Sequence, residues 1–355
     1  MLKLFKKFRL LVIIPSIITI IFVSLSVIPT DYDLYLPATV DDISEIYTFE
    51  GVDTSDVNVS SVSVYSYYNV SVLNYLQSFL NPYAVRDEHN KYVNTSISYG
   101  HTSGSIQNNV SLDNSLIAAY RFAGKDIKYT FKGYIVHSVF GPEKSSIELG
   151  DIIIKCEGVE LKEDVTIASV LASKYGTYEK DGLHYVNIEI GKGYNFTVKR
   201  DGEELDIVVK AFGYEDEEGV TPSLGFNFYQ KYSLSKKQSN PVFDIDNPNT
   251  YGPSAGFVQA LFAYDALTGE NLTKDLHVIG TGTIDSFGNV GSIGGVKAKV
   301  AAAVLDKADI FFVPSSNYDD AYEQYCKYNT NMKLVKIDTL QDAIDYLKGM
   351  EVSND

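Results

Sequence analysis

Residues 249–256 read Asn-Thr-Tyr-Gly-Pro-Ser-Ala-Gly and place Ser254 among small neighbours, directly before an apolar run. The apolar residues that follow Phe257 have a spacing close to the helical period, which predicts a helix here. Pro253 suits the first position of such a helix. Free N–H groups at a helix start favour negative charge, so an oxyanion formed on Ser254 would meet donors already in place. An ordinary helix cap fits the same residues, so both interpretations stay open at this point.

Length and composition predict a folded protein of several domains. The chain has 355 residues, of which 45% are hydrophobic, and this suggests two or three domains with packed cores. The formal net charge is −16, and outside the N-terminus the basic residues form no dense cluster, so nucleic-acid binding has no electrostatic support. Two cysteines, Cys156 and Cys326, lie far apart and exclude a disulfide framework.

An apolar run over Leu10–Ile28 has about the length that crosses a bilayer as a helix. Basic residues precede the run and acidic residues follow it, so the positive-inside rule places residues 1–9 in the cytoplasm and the chain after residue 30 outside. We therefore expect a single-pass cell-membrane protein whose transmembrane helix covers residues 10–28. A cleaved signal peptide is the alternative, with Ser24-Leu25-Ser26 as a weak cleavage site. The length of the run favours a retained anchor.

The region 31–126 contains no residue set that suggests chemistry. Val57–Val64 alternates valine with serine or asparagine, which predicts a half-buried strand. Helical spacing appears over Val72–Phe79 and again over Asn114–Ala123. We interpret the region as a mixed extracytoplasmic spacer and packing layer between the membrane and the working domains.

Residues 127–214 are rich in strands and turns. Asp201-Gly202 lies between two alternating runs, a strong signal for a hairpin with a two-residue turn, and a helix is predicted from about Asp164 to Lys174. The pattern resembles a PDZ domain of the kind found in bacterial proteases. The resemblance is carried by that helix, by Leu149-Gly150-Asp151 and by the strand that opens at Gly133.

In the PDZ family an extended peptide adds as a strand between a sheet edge and a helix. The resemblance therefore implies peptide binding beside Gly133, Tyr134, Ile135 and Val136. A small structural β domain with a closed groove is the alternative.

The remaining region, 219–349, alternates helices and strands and is predicted to be an α+β domain. Its expected elements are the helix at Ser254, strands at His277–Ile284 and Ile310–Pro314, a helix after Gly295, and helices at 317–328 and 339–347.

A serine nucleophile needs a base. Of the five histidines only His277 lies in this domain, at the start of a strand, so a Ser-His-Asp triad is disfavoured. A lysine can serve instead once burial disfavours its charged form. Lys299 has an apolar setting between Ala298 and Val300, whereas Lys297 lies on a different helix face and is expected to be solvated. An ordinary surface lysine stays the alternative for Lys299.

Three motifs in order look like the proteolytic domain of the Lon family of serine peptidases: Gly252-Pro253-Ser254-Ala255-Gly256, Gly280-Thr281-Gly282-Thr283-Ile284 and Gly294-Gly295-Val296-Lys297-Ala298-Lys299. With the anchor and the PDZ-like module, the chain is similar to membrane-anchored, PDZ-containing Lon-type endopeptidases of bacteria. This resemblance extends from residue 10 to about residue 347.

The resemblance implies that Ser254 is the nucleophile, that Lys299 is the general base and that Thr281 hydrogen-bonds near the lysine. It places the substrate and oxyanion region at Tyr251, Gly252 and Ala255. The family usually has glycine or aspartate where this chain has Tyr251, a change that would alter the substrate groove without removing the Ser-Lys dyad. No metal or other cofactor is implied.

The expected function is that of a membrane-anchored, extracytoplasmic serine endopeptidase. The sequence contains no Walker A pattern, so we expect peptides or small unfolded proteins to be cleaved without a nucleotide. The PDZ-like module would guide or gate these substrates. A catalytically silent PDZ-containing scaffold is the main alternative, and an esterase or amidase using the same dyad is another. The oligomeric state stays open.

Overall fold

The computed structural model describes residues 2–89, 96–140, 146–180, 182–216, 219–246, 251–273 and 276–352 of the chain. Asn249 and Thr250, the first two residues of the stretch 249–256 around Ser254, lie outside the described residues. The helices are α1 Leu2–Val27, α2 Val72–Ser78, α3 Ile97–Phe122, α4 Ile167–Tyr175, α5 Gly256–Thr268, α6 Val296–Leu305, α7 Tyr318–Tyr325 and α8 Leu340–Val352. The strands are β1 Tyr32–Asp42, β2 Tyr47–Phe49, β3 Val59–Tyr67, β4 Val85–Glu88, β5 Tyr129–Val139, β6 Ile152–Cys156, β7 Val159–Glu160, β8 Thr177–Lys180, β9 Leu183–Val186, β10 Gly193–Arg200, β11 Glu203–Lys210, β12 Phe212–Asp216, β13 Gly219–Ser223, β14 Phe226–Leu234, β15 Phe243–Ile245, β16 Val278–Gly280, β17 Thr283–Ile284, β18 Val290–Gly291, β19 Ile310–Pro314 and β20 Lys333–Ile337.

The sheets form two structural units. The first unit is built on a mixed sheet of six strands in the order β20-β19-β16-β3-β1-β4. The four strands from β20 to β3 run parallel to one another, and β1 and β4 are antiparallel to their neighbours. Strand β19 is buried along its whole length, as expected for a parallel strand covered on both faces. This sheet combines strands from both ends of the chain.

The region 31–126 is not a separate spacer, which corrects our domain boundaries. Strand β3, confirmed near its predicted position, lies beside β16 of the C-terminal region. Helix α3 is much longer than predicted and packs against α5, so that Leu116 and Tyr120 share one core with Phe257 and Leu261. Strand pairing and core packing are non-local, so a local sequence pattern did not reveal this arrangement.

A second unit is built on an antiparallel sheet in the order β11-β10-β6-β5-β14, with α4 packed against it around a separate core. The predicted hairpin is confirmed, because Arg200 pairs with Glu203 across Asp201-Gly202. Strand β14 pairs with β5 and so belongs to this unit. The boundary that we predicted at residue 219 therefore lies too early in the chain.

The strand that we expected to receive a peptide has no free edge over Gly133, Tyr134, Ile135 and Val136. On one side, these four residues pair with Lys231 to Phe228 of β14. On the other side, Tyr134 and Ile135 pair with β6, and the Val136 N–H donates to the Asp151 carbonyl at 2.8 Å. Because both edges are occupied, the prediction that a peptide adds beside these residues is wrong.

The apolar run near the N-terminus lies in α1, which extends over Leu2–Val27 with Pro15 inside it. The side chains that are described from Leu11 onward include many large apolar groups that are exposed. Among the described residues, no helix meets the length and apolar character needed to cross a membrane. The anchor therefore stays a prediction.

The shared core predicts that the C-terminal region cannot fold without the region before it. A fragment of residues 219–355 lacks β3 and α3, whose Val59, Leu116 and Tyr120 are fully buried in the first unit. We expect this fragment to show no cooperative thermal unfolding by circular dichroism, whereas a fragment of residues 31–355 unfolds cooperatively. A sharp transition in the shorter fragment would contradict the shared core.

Candidate active site

Ser254 lies in a turn that leads directly into α5, which begins two residues later at Gly256, so the helix begins later than we predicted. Ala255 occupies the cap position, and no side chain there caps the helix. Pro253 therefore lies outside the helix, and the interpretation of Ser254 as a helix cap is wrong. The serine side chain is left available for another partner.

The turn is held by the chain segment that follows β16. The carbonyl of Ser254 accepts a hydrogen bond from the Gly282 N–H at 2.8 Å and another from the Thr281 hydroxyl at 3.1 Å. The Gly282 carbonyl in turn accepts from the Phe257 N–H at 3.0 Å. A Cβ at Gly256 would lie 2.5 Å from Ser111 Oγ, so only glycine allows this close approach between α5 and α3.

Thr281 is placed by the central parallel strand. It comes directly after β16, and its N–H donates to the Phe312 carbonyl of β19 at 3.0 Å. The carboxyl ends of parallel strands are where α/β sheets bind ligands. The predicted strand His277–Ile284 is thus shorter than expected, because it breaks at Thr281 and turns toward the serine.

Lys299 extends from α6 to meet both residues. Its Nζ lies 2.7 Å from Ser254 Oγ and 3.0 Å from Thr281 Oγ1. The residue is only 3% exposed, and burial lowers the pKa of Lys299 to about 7. Among the described residues, no carboxylate forms an ion pair with this amine. Near neutral pH, a large fraction of Lys299 is therefore uncharged.

Lys297, two residues earlier on the same helix, has a different environment. Its Nζ contacts Glu323 at 2.8 Å and Asp320 at 3.2 Å at the surface of α7. The hydrogen bond to Glu323 raises the pKa of Lys297 above its ordinary value. This lysine stays charged and points away from the serine, in agreement with the helix-face argument.

The hydroxyl of Thr281 fixes the direction of the hydrogen bonds. Its single hydrogen is used toward the Ser254 carbonyl, so the oxygen presents a lone pair to the amine of Lys299. The amine therefore donates to Thr281. In the neutral amine, the nitrogen lone pair then remains for the Ser254 hydroxyl hydrogen, which is the arrangement a general base requires.

The three residues predicted for the oxyanion region differ in their hydrogen bonding and exposure. The Gly252 N–H is used, because it donates to the Gly104 carbonyl of α3 at 2.9 Å. Tyr251 is 54% exposed. Within the described part of the chain, no hydrogen bond uses the Ala255 N–H, so this group can donate to an oxyanion beside Ser254.

Among the described residues, no histidine hydrogen-bonds to Ser254 or Lys299. His277 faces Asp306 at 3.6 Å, and His137 is buried against the ring of Tyr229, where burial lowers the pKa of His137 to about 4. His101 of α3 packs edge-on against Tyr251, with ring centroids 4.5 Å apart. Helix α3 thus reaches the site, which our sequence analysis missed. The described residues contain no cluster of three potential metal ligands.

A cavity of 1480 Å³ opens in front of the dyad. Both units contribute to its walls, with Ser254 and Lys299 on one side and Ser138 and Tyr229 of the second sheet among the other lining residues. Ser63 and neighbouring residues of β3 also line the cavity. Tyrosine and serine side chains are frequent in the wall, so its surface mixes polar and apolar groups.

Comparison with protein families agrees with this geometry. Residues 247–348 match the model of the Lon protease (S16) C-terminal proteolytic domain. The chain contains a Lon-type proteolytic domain. The match includes Ser254, Thr281 and Lys299, whereas β3 and α3, which share the core of this domain, lie before it.

The curated relatives that this chain resembles are longer proteins. The Lon protease of Campylobacter concisus is 33% identical over 94 residues, which cover 26% of this chain and 11% of the relative. For the Lon protease of Campylobacter jejuni the identity is 34% over 98 residues, covering 27% of this chain and 12% of the relative. The similarity thus spans about a tenth of the length of each relative.

Proposed function

We propose that this protein is a serine endopeptidase that cleaves peptide bonds through an acyl-enzyme on Ser254, with Lys299 as general base. The observation that carries the proposal is the 2.7 Å separation between Lys299 Nζ and Ser254 Oγ at a buried position. The Lon-type domain supports a serine peptidase.

In the first half of the reaction, neutral Lys299 accepts the proton of the Ser254 hydroxyl as its oxygen attacks the peptide carbonyl carbon. The tetrahedral oxyanion accepts a hydrogen bond from the Ala255 N–H, and one such donor typically contributes about 3 kcal/mol to the transition state. The intermediate then collapses, the carbon–nitrogen bond breaks, and Lys299 returns the proton to the leaving amine. This step leaves an ester on Ser254.

In the second half, a water molecule attacks the ester while Lys299 accepts one of its protons. The ester bond breaks, the proton passes to Ser254 Oγ, and the carboxylic acid product leaves. Thr281 holds the amine through both halves, because its hydroxyl oxygen accepts a hydrogen bond from Nζ at 3.0 Å. Every proton in this cycle moves between the substrate, water and the dyad, and the cycle uses no nucleotide.

The shape of the cavity supports unfolded or extended peptides as substrates. The dyad lies in a space bounded by both units, with Tyr229 of the second sheet and Ser63 of β3 among its walls. A folded domain cannot insert a peptide bond into such a space without local unfolding. We propose that the second unit guides substrates by forming part of this wall.

We further propose that α1 attaches the enzyme to a membrane and that the two units lie outside the cytoplasm. Support comes from the apolar run Leu10–Ile28, from the basic residues before it, and from exposed apolar side chains such as Ile18 and Ile20. An exposed apolar helix is more stable in a lipid environment than in water.

Cleavage assays with matched lysine variants test the dyad. Ser254→Ala and Lys299→Met should each lower kcat by at least about 1000-fold on an unstructured peptide in a buffer without ATP, because they remove the nucleophile or its base. Lys297→Met, from the same helix, should retain activity near that of the wild type. Products are identified by mass spectrometry.

Other outcomes would point to other functions. Equal activity in all four proteins would exclude the dyad, and no cleavage by any of them across a broad peptide library would favour the silent scaffold. Hydrolysis of esters or simple amides without peptide cleavage would favour an esterase or amidase that uses the same dyad.

The preference for unfolded substrates is tested with native and unfolded forms of the same protein. Only the unfolded form should be cleaved.

Labelling of a natural cysteine tests the topology. Cys326 is exposed, whereas Cys156 is buried and its pKa is raised to about 12 by burial, so a maleimide should react at Cys326 alone. With a membrane-impermeant maleimide applied to intact spheroplasts, we expect labelling of the wild type and none of Cys326→Ser.

The reverse orientation is tested in the same experiment. Lys6→Cys in the Cys326→Ser background should be labelled only after lysis. If Cys326 is also labelled only after lysis, or if the protein is recovered in the soluble fraction, the proposed location is wrong.

A further inference from the structure

Helix α3 contacts residues 251–255, which we call the nucleophile turn. The helix itself lies before the part of the chain that matches the Lon-type domain. The Gly104 carbonyl accepts a hydrogen bond from the Gly252 N–H at 2.9 Å. Two turns further along the helix, Ser111 Oγ donates to the Pro253 carbonyl at 3.2 Å. The two residues that precede Ser254 are therefore both hydrogen-bonded to this helix.

Gly104 allows the turn to approach the helix closely. A Cβ at this position would lie 2.9 Å from Tyr251 Cβ and 3.5 Å from the Gly252 backbone nitrogen. A Cβ at Gly100, one turn earlier on the same helix, would meet no atom within 4 Å. The two glycines thus form a matched pair, in which only one faces the nucleophile turn.

The same stretch of α3 is attached to the second unit. Ser103 Oγ donates to the His137 carbonyl at 2.5 Å. The hydroxyl of Tyr99 accepts from the Val139 N–H at 2.7 Å and donates to the Val139 carbonyl at 3.0 Å. These contacts satisfy backbone groups of β5 beyond its pairing with β6, so α3 lies against β5 on one side and against the nucleophile turn on the other.

We propose that Tyr99, Ser103 and Gly104 of α3 position Ser254, and that they do so by attaching the nucleophile turn to β5 of the second unit. Gly104 sets the distance between α3 and the turn, and Tyr99 and Ser103 fix α3 relative to β5. None of the three touches the dyad, so they are positioning residues. The proposal rests on the proposed function, because it concerns the nucleophile of that reaction.

A small displacement of the turn is sufficient to affect catalysis. Ser254 must stay within hydrogen-bonding distance of Lys299 while its oxygen approaches the substrate carbonyl. A displacement of about 1 Å can reduce the rate of an enzyme by about 100-fold. The effect should appear in kcat, because the group that is displaced is the nucleophile itself.

The test compares Gly104→Ala with Gly100→Ala in the full-length protein. Gly104→Ala should lower kcat by roughly 10- to 100-fold with little change in KM, because the added methyl group moves the turn. Gly100→Ala adds a methyl group to the cavity wall without meeting any atom within 4 Å, so it should keep the wild-type kcat. Tyr99→Phe should lower kcat in the same direction, because it removes both hydrogen bonds to Val139.

A second-site change separates positioning from general damage. Tyr251→Gly removes the Cβ that the new methyl group of Gly104→Ala would contact. The double variant should therefore be more active than Gly104→Ala alone. The single variant Tyr251→Gly serves as the reference for both. A merely destabilised protein would gain nothing from losing a second side chain.

Hydrogen exchange gives a readout that does not depend on cleavage. The Gly252 amide should exchange faster in Gly104→Ala than in Gly100→Ala, and the double variant should restore the slower exchange. If Gly104→Ala matches Gly100→Ala in both kcat and exchange while Ser254→Ala is inactive, the positioning role is wrong and the proposed function stands. If the wild type cleaves nothing, the proposed function fails, and unchanged exchange at Gly252 would overturn the positioning role separately.

Discussion

The proposed active site depends on the hydrogen bonds of one buried amine. Among the described residues, the hydrogen-bond partners of Lys299 Nζ are the hydroxyl oxygens of Ser254 and Thr281, and Lys299 is almost fully buried. Burial without a carboxylate partner disfavours the charged amine, and for Lys299 this lowers the pKa to about 7. The same environment that makes the lysine unfavourable as a cation makes it useful as a base.

Close packing of small residues brings the three groups together. They come from a turn, a strand end and a helix, and each element approaches another at a glycine. At Gly280, for example, a Cβ would lie 2.7 Å from Val258 Cγ1, so a larger residue would separate β16 from α5. At Gly256 and Gly104, the turn and its helix approach α3 in the same way. The dyad geometry thus depends on residues from the region before the Lon-type match.

The candidate site residues could be predicted from short sequence patterns, whereas the pairing of distant strands could not. Ser254, Lys299 and Thr281 could be singled out because short motifs and the apolar neighbours of Lys299 are local features. The hairpin at Asp201-Gly202 was predictable for the same reason. By contrast, nothing in the alternation of β3 reveals that its neighbour is β16, more than 200 residues away along the chain. A periodic pattern identifies which face of a strand is buried but not which strand lies beside it.

The wrong prediction of peptide binding beside β5 also arose because strand pairing is non-local. The stretch from Gly133 to Val136 has the composition of a strand that could accept a peptide, but β14 returns from a distant part of the chain and fills that edge. The oxyanion region was also only partly predictable, since the partner of the Gly252 N–H is Gly104 of α3. Both cases require knowledge of the tertiary fold.

The central claim is that a buried, neutral lysine activates the serine, and the pH dependence of kcat/KM tests it most directly. This profile reports the ionisation of the free enzyme. Because the pKa of Lys299 is lowered to about 7 from an ordinary value of 10.5, the amine is protonated and inactive below that value and available as a base above it. The account predicts that kcat/KM rises about tenfold per pH unit below pH 7 and levels off above it, with a peptide that does not itself titrate in this range. A rise centred near pH 10, or no dependence between pH 5 and 9, would contradict it.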